Sequence, residues 1–229
     1  MQVPKIALIH ATALAMAPVA AAFERLWPEA RRMNLLDDRL SQDLALAGVL
    51  DEAMFARFHT LAAYAKTCGA DAILFTCSAF GPAIESVKKT IGLPALNPNQ
   101  AMFDEALALC LAATTLPRDT PARVGLMTTF APSTAPLVLE LETAARLLCM
   151  PLVIDTTCAT GAMEALNRGD GETHDRLIVE HAASLENCDV VLLGQFSMAT
   201  AQAVVERRVS RPVLTSPQSA VMRLRQLLQ

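Results

Sequence analysis

A chain of 229 residues with 53% hydrophobic content and a net charge of −4 has ample material for a hydrophobic core and is not a disordered segment. With 19 Lys and Arg against 23 Asp and Glu, no basic stripe, and only one Trp, one Tyr and eight Phe, the composition argues against nucleic acid as a partner and against an aromatic stacking platform. No apolar stretch reaches the roughly 18 uninterrupted residues of a membrane span, so no membrane partner is expected either.

Lys5 and the following "IALIHATALAMAPVAAAF" imitate a secretory signal in charge, apolar run and Ala-rich end. The same stretch contains "KIALIH", a short aliphatic run of the kind that makes a fully buried parallel strand, with "PVAAAFERL" following as a helix. "RRMNLL" predicts a second strand, and "DEAMFARFHTLAAYAKTC" carries apolar residues at helical spacing. "DAILFTC" from Asp71 is the next strand; it breaks at Thr76-Cys77-Ser78 and a helix begins at about Pro82. "LPAL" at 93–96 is a short strand, and "PALNPNQAM" at 94–102 carries a crossover whose prolines end the sheet strand. "ALALCLAATTL" at 106–116 is an aliphatic helix suited to a core or to a subunit interface.

The elements then recur. "RVGLMTT" from Arg123, "TAPLVLELETAARLL", "PLVID", "HDRLIVEHAASLEN", "DVVLLGQ" from Asp189 and "RPVL" at 211–214 fill the same slots in the same order. Lys5 to Arg123 is a shift of 118 residues, as is Asp71 to Asp189, and the same shift carries Pro18 onto Pro136, Asp37 onto Asp155 and "LPAL" onto "RPVL". This reads as an internal duplication without gaps. The predicted fold is α/β, with two pseudo-symmetric doubly wound lobes, each holding a mainly parallel four-stranded sheet. The lobes are expected at 1–97 plus 215–229 and at 98–214, with "RPVLTSPQSAVMRLRQLLQ" returning a last helix to the first lobe and the active site in a cleft between the carboxyl ends of the strands. The repeat also implies that the opening stretch is a strand and helix of the mature protein.

Cysteines at 68, 77, 110, 149, 158 and 188 show no C-x-x-C pair and no zinc spacing. No metal is expected, and a reducing, cytoplasmic compartment with most thiols acting as small core residues fits the pattern. Cys77 stands apart because it sits where a strand hands over to a helix, where free N–H groups and the helix dipole can lower a thiol pKa. Cys158, in "TTCATG", is a weaker candidate of the same kind. Ser78 with the N–H groups of Ala79 and Phe80 forms a candidate anion cradle. The offset places Gln195 opposite Cys77 and Thr128 opposite His10. Thr128, Thr129 and Phe130 are candidates for holding a carboxylate, alongside plain N-capping by the hydroxyls. His10, at the end of the first strand, is expected on the cleft rim, either as a titrating catalytic group or as a hydrogen-bonded strand-end histidine. His59, His174 and His181 fall in helical segments and are expected on helix faces or the surface.

A cysteine in a "TCS" turn after a strand of the first lobe, a "LG-x-x-x-M" turn in the matching place of the second, and the duplicated α/β lobes resemble the aspartate/glutamate/hydantoin racemase superfamily over nearly the whole chain. The resemblance implies a cofactor-independent enzyme acting on a small carboxylate, assembled as a homo-oligomer, commonly a dimer. In that family two facing cysteines remove and return an α-proton. Here "LLGQFSM" puts Gln195 where the second cysteine is expected, and an amide neither donates nor accepts a proton near neutral pH, although it can hydrogen-bond a carboxylate or an enediolate. Ser197, two residues on, has no evident base. Three readings therefore stand: a racemase-type isomerase using Cys77 with His10 or another partner, a one-cysteine decarboxylase of the arylmalonate type, and a non-catalytic carboxylate-binding protein. Without a G-x-G-x-x-G or Walker motif, nucleotide roles are unsupported.

Overall fold

Unbroken aliphatic runs, which lack the alternation of a sheet wetted on one face, fold here as interior strands of parallel sheets. The computed structural model describes residues 3–113 and 121–229. Its first unit comprises Met1–Ala101 with Ala220–Gln229. It contains β1 (Lys5–His10), α1 (Met16–Leu26), β2 (Arg31–Leu36), α2 (Arg39–Ala47), α3 (Glu52–Thr67), β3 (Ala72–Phe75), α4 (Gly81–Ile91) and β4 (Ala95–Leu96). The sheet order is β2-β1-β3-β4, with every neighbouring pair parallel. Every residue of β3 is fully buried, whereas β2, at the edge, alternates exposed and half-buried residues, which explains how "RRMNLL" tolerates two arginines.

The second unit, Met102–Ser219, repeats the plan with β5 (Ala122–Thr128), α6 (Thr134–Leu147), β6 (Leu152–Cys158), α7 (Ala162–Asn167), α8 (Gly171–Ala182), β7 (Val190–Leu193), α9 (Gln202–Val209) and β8 (Val213–Thr215). Its sheet order is β6-β5-β7-β8, again parallel throughout. The unit boundaries run inside α5 (Gln100–Ala113) and α10 (Ser216–Leu228) rather than in the turns ahead of them. On α5, Ala106, Leu107 and Cys110 are buried, while Leu109 and Leu111 are exposed, and residues 114–116 of the aliphatic stretch lie outside the described residues.

The offset of 118 is written into the hydrogen bonds. Lys5 N donates to Asp71 Oδ2 at 2.7 Å, and Arg123 N donates to Asp189 Oδ2 at 2.8 Å. Ile73 pairs with Ala95 in one sheet and Val191 with Val213 in the other. Pro18 and Pro136 each occupy the third residue of a helix, where a missing N–H costs nothing. One landmark is corrected: Asp37 does not correspond to Asp155. Lys5 pairs with Arg31, but Arg123 pairs with Val153, so β6 has slipped by four residues relative to β2. Asp37 N bonds His10 O, and the equivalent donor to Thr128 O is the N–H of Ala159. The extra residues enter before β6, where α6 has 14 residues against 11 in α1, and leave again in the helices after it. The repeat therefore contains compensating gaps.

Two short helices, α2 and α7, fill connections that the sequence reading left blank. In α2 only Leu40 is fully buried, so its apolar pattern is thin, and its end is marked by Gly48 in the left-handed conformation. The core of the first unit closes around Phe58, whose ring lies 5.8 Å from Phe75 and 4.9 Å from Phe80. Among the described residues no helix is long and apolar enough to cross a membrane.

Candidate active site

In each sheet the chain leaves the central pair of strands in opposite directions, and such a switch point is where open α/β sheets present their ligand-binding loops. In the first unit the diverging segments are His10-Ala11 at the end of β1 and Thr76-Cys77 after β3; in the second they are Thr128-Thr129 at the end of β5 and Gly194-Gln195 after β7.

Cys77 is half-buried in extended backbone (φ −127°, ψ 115°) and caps one turn of 3₁₀ helix, Ser78–Phe80, that leads into α4. The Ala79 N–H and the hydroxyl of Ser41, a residue of α2, both favour its thiolate. Burial nevertheless pushes the thiol up, and outweighs both donors. This corrects the expectation of a lowered pKa. A single 3₁₀ turn supplies one N–H where the dipole of a full α-helix was anticipated, and desolvation of the thiolate is the larger effect. At neutral pH the group is a protonated thiol, an acid holding a proton.

The rest of the first-unit cradle is differentiated. Ser78 is half-buried, Ala79 is exposed with its N–H directed at Cys77, and Phe80 is fully buried in the core with only its backbone toward the turn. Loss of the Phe80 ring would cost about 3–5 kcal/mol by cavity formation, so it anchors the turn. Ser41 Oγ donates to the Ala11 carbonyl at 2.8 Å. Around it, Arg57 on α3 clasps both oxygens of Asp37, with Nε 2.7 Å from Oδ2, and reaches Asp43 Oδ2 at 2.6 Å through Nη1.

His10 is fully buried, with Nδ1 2.8 Å from Thr76 Oγ1 and Nε2 3.0 Å from Asn34 Oδ1. A carboxamide oxygen only accepts, so Nε2 carries the hydrogen and Nδ1 accepts from the Thr76 hydroxyl. Burial pushes this imidazole down and keeps it neutral. The histidine expected on the rim thus supports the residue preceding Cys77 from beneath, with both nitrogens engaged.

In the second unit Gln195 has nearly the backbone of its counterpart, φ −134° and ψ 144°. Its Oε1 accepts from both Thr129 N and Thr129 Oγ1 at 2.6 Å. Because the backbone N–H can only donate, the carboxamide oxygen is fixed toward β5 and the NH₂ is turned away from Thr129 as a hydrogen-bond donor. Thr128 is fully buried and its hydroxyl pairs with that of Thr134 at 2.8 Å. Neither threonine caps the turn that follows; its capping residue is Phe130, 52% exposed, with no side-chain bond. Ser197 is 8% exposed.

The other histidines lie outside these turns. His59 bonds Ser86 Oγ at 2.9 Å and His181 bonds the Leu177 carbonyl at 2.8 Å. His174 lies on the buried face of α8 rather than at the surface, with Nδ1 2.7 Å from Asp175 Oδ1. All six cysteines are thiols rather than disulfide partners. Cys158 ends β6 as the Cα partner of Thr128, while buried Cys110 and Cys188 are pushed up to about 11 and about 12 by desolvation. No group of three or more His, Cys, Asp or Glu among the described residues is arranged to hold a metal. Ser41 and Asn34 escaped the sequence reading. The available signal was position: Asn34 lies on the edge strand β2 and Ser41 on α2, just beyond that strand's carboxyl end, the end of the sheet where function concentrates.

The sequence matches the family described as Asp/Glu/Hydantoin racemase over residues 9–224. No curated protein matches it. Among solved structures, the chain is similar to a glutamate racemase from Bacillus anthracis, with a TM-score of 0.70 at 12% identity over 99% of this chain and 82% of that one. It is also similar to allantoin racemase from Klebsiella pneumoniae, with a TM-score of 0.69 at 15% identity over 98% and 87% of the two chains. Arylmalonate decarboxylase gives a TM-score of 0.64 at 19% identity over 99% and 93%. At these identities the likeness is one of fold.

Proposed function

Since the chain belongs to the Asp/Glu/hydantoin racemase family, we propose that it generates or protonates the α-carbanion of a small carboxylate, with Cys77 as the proton-transfer group. The observation that carries this reading is the contrast between equivalent turns: a protonated thiol in one, and in the other a glutamine whose oxygen is tied to Thr129. The glutamine has no proton to exchange, but its NH₂ suits a carboxylate or enediolate oxygen. Ser78 and the Phe80 N–H are the remaining candidate donors beside Cys77; the Ala79 N–H is already given to sulfur.

A lone acid completes one reaction without help. A malonate-type substrate loses CO₂ by heterolysis of a C–C bond, and the electron pair stays behind as an enediolate. Cys77 S–H then gives its proton to the α-carbon, and the thiolate recovers a proton from water. A raised thiol pKa favours this role, since the acid form is populated at neutral pH. Racemisation is the second reading, supported by the family and by the racemases among similar folds. It requires a second proton-transfer group, and His10, buried with both nitrogens bonded, is poorly disposed to be that group.

The test is solvent deuterium incorporation at the α-carbon, followed by NMR, over both enantiomers of aspartate and glutamate, a hydantoin, and aryl- and alkyl-malonates. Deuterium is expected only together with CO₂ release, and Cys77→Ala is expected to lower the rate by about 10²-fold or more. Exchange with inversion would replace the decarboxylase reading with racemisation. Absence of exchange in every compound, with binding retained, would replace the enzyme by a carboxylate-binding protein.

A further inference from the structure

Asn34 on β2, His10 at the end of β1 and Thr76 just after β3 are joined in a row across the sheet by hydrogen bonds of 3.0 and 2.8 Å. The Thr76 hydroxyl has one hydrogen and two acceptors in view, the imidazole Nδ1 at 2.8 Å and the Ile9 carbonyl at 3.4 Å. Which of them receives it depends on the tautomer of His10. A ring with its hydrogen on Nδ1 would face Thr76 as a donor and send the hydroxyl to Ile9. The Asn34 carboxamide oxygen takes its hydrogen from Nε2, so Nδ1 is left as an acceptor and draws the hydroxyl to itself. An exposed residue on the edge strand thereby sets the direction of a buried hydroxyl two strands away.

We propose that His10, with its tautomer set by Asn34, is a positioning residue for Cys77: it holds Thr76, the residue before the thiol, against the end of β1 and so fixes where the turn presents sulfur. In the reaction above, this role rests on the reading of Cys77 as the proton-transfer group. Thr76 N also donates to the Ile9 carbonyl at 3.1 Å, so main chain and side chain together tie the last residue before Cys77 to β1. The second unit is tied differently. Its counterpart of Thr76 is Gly194, without a side chain, and its turn is held through Gln195 Oε1 on Thr129. A glutamine can spend its oxygen as a tether and keep its NH₂ for a ligand, whereas a thiol with one proton to transfer is tethered from the residue ahead of it. Burial of His10 and Thr76 keeps out water that would compete for these bonds.

Two substitutions separate this role from packing, and neither needs a substrate. His10→Asn places a carboxamide oxygen near the position of Nδ1 and keeps an acceptor for Thr76. His10→Gln reaches to Asn34 instead and leaves the Thr76 hydroxyl without that acceptor. Asparagine is the smaller side chain, so packing alone makes it the worse replacement, whereas the proposed role makes glutamine worse. The readout is alkylation of Cys77 by iodoacetamide, for which the turn must open around a half-buried thiol, followed by peptide fragmentation in the full chain with exposed Cys149 as internal control. His10→Gln is expected to speed Cys77 alkylation about tenfold, the effect of one buried hydrogen bond, with His10→Asn within about threefold of native and Cys149 unchanged. Thr76→Val, which removes the hydroxyl at nearly constant shape, is expected to match His10→Gln, and Thr76→Ser to restore native behaviour; this pair decides the matter if the histidine variants do not fold. Nitrogen-15 NMR of the native ring is expected to show the hydrogen on Nε2. A ring protonated at Nδ1, a faster reaction in His10→Asn than in His10→Gln, or a Thr76→Val rate equal to native would overturn the proposal. If the expected order appears while no carboxylate is turned over, the proposed reaction fails and the tether of Cys77 through His10 stands.

Discussion

Gln195 and Thr129 lie 66 residues apart and meet through two hydrogen bonds of 2.6 Å to one oxygen. With that oxygen committed, Gln195→Ala removes a positioned NH₂ donor. Hydrogen bonds to charged groups contribute about 1.5–3 kcal/mol, so a carboxylate substrate should show KM raised about 10- to 100-fold, measured by steady-state kinetics, while Cys77 alkylation in the free protein stays native. Equal KM in the two proteins would remove Gln195 from the binding groups. Cys77 could be read from the sequence because a thiol between a buried strand and a helix start is locally conspicuous. His10 could not be placed in the same way. Its partners Asn34 and Thr76 lie 24 and 66 residues away, and only folding decides whether a strand-end imidazole points out or is bonded at both nitrogens.

At the scale of elements, α2 carries Ser41 and owes its position to Arg57. The Arg57 side chain is about one-third exposed, which limits what its ion pairs add. Arg57→Met is expected to lower unfolding free energy by about 1 kcal/mol in chemical denaturation. Amide hydrogen exchange in α2 should accelerate more than in α3, because α2 buries little apolar surface of its own. Uniform acceleration across both helices would contradict the clasp. This helix was missed in the sequence for the same reason that it depends on the clasp: a single fully buried leucine leaves a weak periodic signal. The interior strands had the opposite property. β1, β3, β5 and β7 are short aliphatic blocks whose burial follows directly from composition.

For the molecule as a whole, Cys110 and Cys188 predict alkaline sensitivity. Their folded pKa values are raised from 9.0 to about 11 and about 12, so above pH 9 the unfolded chain has lost protons that the folded one retains. The stabilisation is complete below about pH 9 and declines as pH rises toward those folded values. The denaturation midpoint should fall between pH 9 and 10.5, and the Cys110→Ala, Cys188→Ala double variant, less stable at neutral pH, should lose less over the same interval. Parallel loss in both proteins would assign the sensitivity to other groups. The duplicated plan was legible because three strands of each sheet keep one offset; the coincidence of Asp37 with Asp155 was misleading because those aspartates fall on the one strand that has moved. Strand faces alternate with period two, so a slip of four leaves every side chain of β6 facing as before, whereas a slip of one or three would have turned the strand over. An insertion on one side of β6 and a deletion on the other are thus compatible with an unbroken sheet, and the two units differ in their connections while sharing one frame.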